Sequence, residues 1–293
     1  MVKEIFKQTI KSFLFRWWLG SSGAVNVILQ FGKIYFNLDL TKSIIWGVSI
    51  TAGLYILLFL YYLFLLLFKN WLRKTKESIY GEAIIYLKDA FGKIHFLRKD
   101  GNLTDEALKQ TLANFCQQLK VFFEKKTKTK CAVSIKVVQN IVGNEQAANA
   151  VVYNLCRDKE SQYRDTDAYK GCNHSVFNNT CYNNILTKIT GGKSSNSLHY
   201  LNNNLPKTKD YNNTSWEIHK QDKSNNQWKL PYKSELVLPI IPIENKPDGK
   251  YNLVGFLCVD SDETDVFHEK YDPAMLQGVA DGIYDIIVNF CCK

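Results

Sequence analysis

The chain of 293 residues is long enough for one or two domains with a hydrophobic core, and its net charge of +9 is at first sight that of a nucleic-acid-binding protein. Residues 1–76, however, contain ten Lys and Arg residues against two acidic ones, so that segment carries +8 and the rest of the chain only +1. A groove that follows phosphates needs its positive charge on the folded part of the chain. The composition therefore excludes nucleic acid as a partner and indicates membrane topology instead.

Two hydrophobic segments near the N-terminus are candidates for membrane helices. Residues 44–68 form an uncharged run of 25 residues, which as a helix spans roughly 37 Å. That length exceeds the ~30 Å hydrocarbon core and predicts a tilted transmembrane helix. Residues 17–36 are interrupted by glycines and polar residues, and they fit either a second transmembrane helix or an amphipathic helix lying in the membrane interface.

Basic residues flank these two segments and favour a helical hairpin. One cluster precedes the first segment and the other follows the second: Lys3, Lys7, Lys11 and Arg16, then Lys69, Arg73, Lys74 and Lys76. If both segments cross the bilayer, both clusters lie on the cytoplasmic side, as the positive-inside rule requires. We therefore expect residues 1–70 to be a membrane anchor. The predicted location is the inner (cytoplasmic) membrane, multi-pass, with both termini cytoplasmic and the lipid bilayer as a partner.

Residues 71–100 are predicted to be a helical connector, because apolar residues recur at heptad-like spacing. This seam consists of Ala83, Leu87, Ala90, Ile94 and Leu97. A second helix is predicted to begin after Thr104, a plausible N-cap followed by Asp105 and Glu106 in the first turn. Its seam consists of Leu108, Leu112, Phe115, Leu119 and Phe122. Apolar stripes on successive helices lead us to expect a homodimer.

Strand patterns follow, with a long polar region between two pairs of strands. The predicted strands cover residues 131–138, 151–156, 234–243 and 252–260, and the last helix begins at Asp272. The polar region, about residues 157–233, is too long for a structureless loop, and a helix is predicted over residues 176–189. Pro239 predicts an edge, a bulge or a pocket margin, whereas Gly255 predicts a close backbone approach.

This order of elements over residues 101–293 resembles a GAF domain. The resemblance is carried by Leu236-Val-Leu-Pro-Ile-Ile, by Leu253-Val-Gly-Phe-Leu-Cys-Val-Asp260, by an acidic loop with Phe267, and by the final helix. It implies an α+β fold, an antiparallel sheet with flanking helices: the first and last helices pack on one face and ligand-binding loops lie on the other. It also implies sensing or dimerisation. The Asn-Lys-Phe-Asp-Glu motif of cyclic-nucleotide-binding members and a bilin-attachment cysteine are both missing, so no cofactor is expected.

A small-molecule site is predicted under the polar region. The candidate ligand-binding residues are Arg157, Asp158, Thr180, Tyr182, Trp216, Tyr232 and Glu235. Arg157 and Asp158 follow a predicted strand, Thr180 and Tyr182 lie on the predicted helix, and Tyr232 and Glu235 lead into the next strand. Trp216 and Trp228 are predicted to be aromatic walls of the same site.

A search for enzymatic motifs finds no phosphate loop, no Gly-x-Ser-x-Gly and no His-Glu-x-x-His, so the chain is predicted not to be an enzyme. The eight cysteines lie outside the membrane part and are expected to be mostly buried, reduced thiols. Cys172, His174 and Cys181 lack a fourth partner at a recognised spacing, so no metal site is predicted.

These features lead to one main hypothesis and two alternatives. The main hypothesis is a membrane-anchored cytoplasmic sensory or regulatory protein, whose GAF-like domain binds a small ligand or partner and signals through dimer helices. The first alternative is a bacterial defence-type effector, whose hairpin disrupts the membrane when the cytoplasmic domain oligomerises. The second is a scaffold that binds no ligand.

Overall fold

A computed structural model of the chain describes residues 39–99, 104–139, 150–165, 174–191, 197–214, 228, 230–242 and 253–291. The chain divides into two compact units, one ending at Tyr80 and the other beginning at Gly81. The first predicted membrane segment, residues 17–36, lies outside the described residues.

The first described helix, α1, covers Leu40–Lys99 and joins the predicted membrane helix and the predicted connector. Its apolar side chains before Tyr80 are largely exposed, with Leu57 at 64% and Trp46 at 62%. It is the one helix in the described part of the chain that is long and apolar enough to cross a membrane. A candidate membrane helix is therefore present, whereas the predicted hairpin, the multi-pass topology and the cytoplasmic termini have no support.

The connector seam is buried within the chain itself. Ala83, Ala90 and Ile94 are each at most 4% exposed. On the same part of α1, the ring of Phe91 meets that of Phe115 edge to face, with centroids 5.2 Å apart. The connector seam, from which a homodimer was predicted, therefore packs within the unit that begins at Gly81. The homodimer stays a prediction.

Helix α2, Asp105–Thr127, confirms the predicted start after Thr104, whose side chain accepts a hydrogen bond from the Ala107 N–H at 3.2 Å. The helix ends at Thr127, and its C-cap Lys128 has a left-handed conformation (φ 62°) and donates its backbone N–H to the Glu124 carbonyl at 2.8 Å. All five residues of its predicted seam are buried. They form the side of the core that faces the sheet.

In the described part of the chain, six strands form one antiparallel sheet in the order β3-β2-β1-β6-β5-β4. The strands are β1 (Cys131–Gln139), β2 (Val151–Arg157), β3 (His174–Ser175), β4 (Tyr200–Asn202), β5 (Ser234–Ile240) and β6 (Gly255–Ser261). The four predicted strands are confirmed, with shorter β5 and β6. The two edge strands, β3 and β4, were not predicted, because two or three residues are too few for an alternating pattern.

Alternation along the strands separates two faces of the sheet. Leu236, Leu238 and Leu257 lie on the face that packs against α2 and the C-terminal helix α4 (Tyr271–Gly282). The opposite face packs against helix α3 (Thr180–Thr190) and the segments around it. An antiparallel sheet with its first and last long helices on one face fits a GAF-like α+β fold.

The predicted C-terminal helix is divided in two. Helix α4 ends at Gly282, and α5 continues as Tyr284–Cys291 after Ile283. Its predicted apolar residues Leu276, Val279 and Ile283 are all buried. At the start of α4, the buried carboxylate of Asp272 forms an ion pair with Lys126 from the last turn of α2. This contact ties together the two helices that cover the same face of the sheet.

Candidate functional site

A cavity of about 300 Å³ lies on the face of the sheet opposite α2 and α4. Its floor is formed by side chains of β1, β2, β5 and β6, and its walls by residues of the polar region, among them Tyr182 and Tyr232. The volume is at the lower end of the range for small-molecule sites. The cavity is therefore of a size for a small metabolite.

The floor is polar because single polar residues interrupt apolar strands on one face. Ser134 and Lys136 of β1 line the cavity together with Asp260 of β6. Glu235 of β5 is the direct cross-strand partner of Asp260, and Ser134 is that of Cys258. The register of three neighbouring strands thus places these side chains on one surface.

An irregularity in β2 brings two more polar residues to this surface. Asn154 pairs with Lys136, whereas Arg157 pairs with Ser134, so Leu155 is an extra residue in the ladder. Residues three positions apart on a regular strand point to opposite faces, but one extra residue restores them to the same face. The bulge at Leu155 therefore turns both Asn154 and Arg157 toward the cavity.

Two arginines at the cavity form ion pairs with carboxylates. Arg157 Nε lies 2.8 Å from Asp165 Oδ1, and Asp165 also accepts both hydrogen bonds from the Asn154 amide. Arg164 Nη1 reaches the two carboxylate oxygens of Asp260 at 3.0 and 2.9 Å. Burial raises the pKa of the Asp260 carboxyl against the opposing attraction of Arg164. We assign the second pair as ionised, because a guanidinium that contacts both oxygens at these distances is the geometry of a charge-assisted pair.

Glu235 is the most deeply buried acid in the cavity lining, at 5% exposed. Its Oε2 accepts a hydrogen bond from the Tyr211 hydroxyl at 2.9 Å. The Asn213 amide donates to the hydroxyls of both Tyr211 and Tyr232, at 3.2 and 2.8 Å. Burial raises the pKa of Glu235 to about 7, and the bond from Tyr211 only partly opposes this shift. The carboxyl group is thus divided between its neutral and ionised forms near neutral pH.

Lys136 meets a neutral partner in the same cavity. Its Nζ donates to the Tyr182 hydroxyl at 2.7 Å and lies 5.4 Å from the centre of that ring. Burial raises the pKa of Tyr182 well above its ordinary value, so this hydroxyl stays protonated. Burial, with the nearby charges of Lys136 and Arg157, lowers the pKa of His174 to about 4, and its Nδ1 lies 2.6 Å from Thr214 Oγ1. At neutral pH this histidine is uncharged.

Two thiols lie beside these groups. Burial raises the pKa of Cys258 to about 11, and it raises that of Cys181 well above its ordinary value. Both are therefore thiols rather than thiolates at neutral pH. Within the described ranges no three side chains of His, Cys, Asp or Glu form a group that could hold a metal ion.

Four of the seven residues predicted from the sequence meet at this cavity: Arg157, Tyr182, Tyr232 and Glu235. They come together because β2, α3 and β5 border one space. The predicted aromatic wall Trp228 packs behind Tyr232, where its indole N–H donates to the Tyr232 carbonyl at 2.6 Å. The binding role of all of these residues stays a prediction.

The other three predicted residues are placed differently. The fully buried carboxylate of Asp158 accepts backbone N–H bonds from Val133 and Ser161 at 2.9 and 3.0 Å, so it holds the chain rather than lining the cavity. Thr180 lies outside the lining, and its hydroxyl accepts the backbone N–H of Asn212 at 2.8 Å. Trp216 lies outside the described residues.

Four further residues line the cavity and were not predicted from the sequence: Ser134, Lys136, Arg164 and Asp260. Two of them could have been identified from the sequence, because Ser134 and Lys136 are two residues apart in the largely apolar strand β1. Two polar residues at this spacing lie on one face. No local pattern predicts the ion pair between Arg164 and Asp260, because the two residues are 96 positions apart in sequence.

Comparison with known proteins finds similar chains among solved structures only, since no family model and no curated protein matches the sequence. The GAF domain of a phosphoenolpyruvate-protein phosphotransferase from Coxiella burnetii is 13% identical, with 72% of this chain and 97% of that chain covered and a TM-score of 0.39. The type II free methionine-R-sulfoxide reductase of Thermoplasma acidophilum is 19% identical, with 64% and 96% covered and a TM-score of 0.39.

The prediction that the chain is not an enzyme is contradicted by these comparisons. Besides the Thermoplasma protein, they include the free methionine sulfoxide reductase of Staphylococcus aureus, at 15% identity over 64% of this chain and 97% of that chain, with a TM-score of 0.30. Enzymes are thus found among the similar structures, and the lack of a familiar sequence motif does not exclude catalysis. Identities this low do not assign a reaction to this chain.

Proposed function

We propose that this chain is a membrane-anchored sensory or regulatory protein whose GAF-like unit binds a small molecule in the cavity under the polar region. One observation carries the proposal: charged side chains from β1, β2, β5 and β6 converge on one cavity of about 300 Å³. Burying charged groups is unfavourable unless they gain partners. A cavity with this many of them is better suited to recognition of a polar ligand than to packing alone.

The anchor in this proposal is the apolar part of α1. Its exposed side chains between residues 44 and 68 would be unfavourable in water, whereas a bilayer would cover them. A second spanning helix over residues 17–36, and with it the hairpin, stays a prediction.

Signalling in this proposal passes from the cavity through the sheet to the helices on its other face. A bound ligand changes the balance of two arrangements only if its affinity for them differs. Glu235 and Leu236 are neighbours on β5, the first facing the cavity and the second facing the helices. A shift of β5 on ligand binding would therefore reach α4, which packs against the same strand.

Native mass spectrometry of the full chain, released from detergent micelles, tests whether the cavity holds a molecule. We expect a retained small-molecule mass, or a mass gained from a metabolite extract, that is lost in Asn154→Trp. Asn154 is an exposed residue of the lining, so the larger ring can block the cavity without disturbing the core.

Asn184→Trp is the matched control, since Asn184 is exposed on α3 outside the cavity lining. This variant is expected to keep the bound mass. A folded wild-type chain that neither retains nor gains any small molecule would contradict the proposed sensing function.

A further inference from the structure

The charges that line the cavity leave one cation without a carboxylate partner. Arg157 is paired with Asp165, and Arg164 with Asp260. The remaining cation is Lys136, and within the described residues no carboxylate oxygen lies within 4.0 Å of its Nζ. Its direct hydrogen-bond partner is the neutral hydroxyl of Tyr182, and the carboxyl groups of Glu235 and Asp260 attract the ammonium only at longer range.

Three hydrogen-bond donors are grouped at the end of the cavity where β1 and β2 meet. Ser134 and Arg157 are direct cross-strand partners, and Lys136 follows two residues later on the same face of β1. Asp165 contacts the Nε of Arg157, whereas a guanidinium carries further N–H donors on its two terminal nitrogens. This end of the cavity therefore offers a hydroxyl, an ammonium and part of a guanidinium. Such a set of donors fits a ligand group that accepts hydrogen bonds and carries negative charge.

The acids lie at the other end, on β5 and β6. Glu235 is held by the Tyr211 hydroxyl, and Asp260 is occupied by both contacts from Arg164. Neither carboxylate therefore neutralises Lys136 directly. At the end where β1 and β2 meet, Asp165 pairs with Arg157, and Lys136 has no ion pair of its own among the described residues.

We propose that the cavity binds a small monocarboxylate, whose carboxylate group is held by Lys136, Ser134 and Arg157 where β1 and β2 meet. This inference rests on the proposed function and specifies the class of its ligand. A single negative charge matches Lys136, the one cavity cation without an ion pair among the described residues, and the volume of about 300 Å³ limits the ligand to a small organic acid. Desolvated charge pairs with hydrogen bonds are strong, so this contact would dominate the affinity.

The test compares probes that have the same shape and different charge. The full chain in detergent is incubated at constant ionic strength with propionate, isovalerate or benzoate, with the corresponding amides, or with isobutylamine and benzylamine. Thermal unfolding midpoints are measured across a concentration series. We expect the acids to raise the midpoint, and the matching amides to need at least about tenfold higher concentration, because they lose a charge-assisted hydrogen bond.

Variants then assign the effect to this end of the cavity. Lys136→Met is expected to weaken acid binding about tenfold or more, and Ser134→Ala, which removes one hydroxyl, by several-fold. Lys207→Met removes an exposed lysine outside the cavity and is expected to bind acids as the wild type does. If Lys136→Met does not fold, Ser134→Ala still tests the contact.

The possible results separate this inference from the proposed function. If an amide or amine binds as tightly as the matching acid, or more tightly, the proposed ligand sensing still holds but the carboxylate inference is overturned. Acid binding that is unchanged in both Lys136→Met and Ser134→Ala overturns it too, because the acid then binds elsewhere. A panel in which no acid binds also overturns it, and a chain that retains no small molecule in native mass spectrometry removes the proposed function as well.

Discussion

Glu235 shows how one buried side chain links the sheet to the cavity. It lies on β5, beside Asp260 of the central strand β6, and its carboxyl group accepts a hydrogen bond from Tyr211 of the polar region. Cys181 of α3 and Lys136 of β1 also face it and influence its ionisation. Because burial raises its pKa to about 7, ionisation of this group opposes folding in the neutral range.

Replacing this residue by an uncharged one should change the pH dependence of stability. The folded pKa of Glu235 lies above its ordinary value of 4.5, so the folded state holds the proton more tightly than the unfolded state. The stabilising contribution is complete below about pH 4.5 and is lost as the pH rises through about 7. From pH 5 to pH 8 the unfolding free energy of the wild type should fall by about 2–3 kcal/mol relative to Glu235→Gln.

Chemical denaturation of the full chain at a series of pH values, followed by near-ultraviolet circular dichroism, measures this difference. Glu269→Gln removes an exposed carboxyl from the turn before α4 and is the control, expected to run parallel to the wild type. Parallel curves for Glu235→Gln as well would show that the Glu235 carboxyl ionises normally in the folded chain.

At the scale of elements, the pairing of β1 with β6 decides which side chains form the cavity floor. Gly255 begins β6 opposite Val137, and a Cβ at this position would lie 2.1 Å from the Lys136 carbonyl oxygen. The predicted close approach is therefore to the neighbouring strand. Pro239 of β5 lies beyond the last pair of β5 with β4, so on that side no strand of the described residues pairs with it. Pro239 therefore lies at a local edge of the sheet, one of the three positions that the sequence predicted for it.

The contact at Gly255 makes Gly255→Ala a test of this strand pair. A methyl group cannot fit 2.1 Å from a backbone oxygen, so β1 and β6 must separate locally. We expect a loss of about 1–3 kcal/mol or more in unfolding free energy, together with weaker ligand binding. Denaturant midpoints in the same detergent measure the loss.

Gly278→Ala is the matched control, because a Cβ at Gly278 in α4 meets no atom within 4 Å. Alanine in a helix interior is favoured over glycine by about 1 kcal/mol, so this variant should be unchanged or more stable. If Gly255→Ala were as stable as Gly278→Ala, the close pairing of β1 with β6 would be incorrect.

For the whole molecule, the central question is what covers the apolar part of α1. Leu57 and Leu58 are 64% and 58% exposed, and they lie in the middle of the uncharged run. Soluble proteins rarely expose such a continuous apolar surface. A membrane location for this helix is the proposal that the surface best supports.

Charges placed in this run should release the chain from the membrane. A lysine at the centre of a spanning helix disfavours insertion by about 2.5–3.5 kcal/mol. The double variant Leu57→Lys/Leu58→Lys is therefore expected to leave the carbonate-washed membrane fraction and to be found in the soluble or aggregated fraction. The control is Ile84→Lys with Ile85→Lys, which changes two exposed isoleucines outside the uncharged run. Retention of both variants in the membrane, or a wild type that is washed off, would contradict the anchor.

Much of this architecture was predictable from local patterns. The start of α2 follows from Thr104 and the acidic residues after it, because a cap and its first turn are set by neighbours in sequence. The buried seam of α2 and the strands β1, β2, β5 and β6 follow from periodicity, since burial of one face requires a regular spacing of apolar residues. The candidate membrane helix follows from a run of 25 uncharged residues, which needs no tertiary contact to be recognised.

The composition of the site could not be obtained in this way. Arg164 and Asp260 meet across 96 residues, and the bulge at Leu155 turns Arg157 to the same face as Ser134. The carboxylate of Asp158, adjacent in sequence to Arg157, instead accepts a hydrogen bond from the backbone of β1. Local spacing fixes the direction of a side chain relative to its own strand or helix, but register, bulges and long-range pairing decide which side chains share a cavity, and these depend on the packing of the complete sheet.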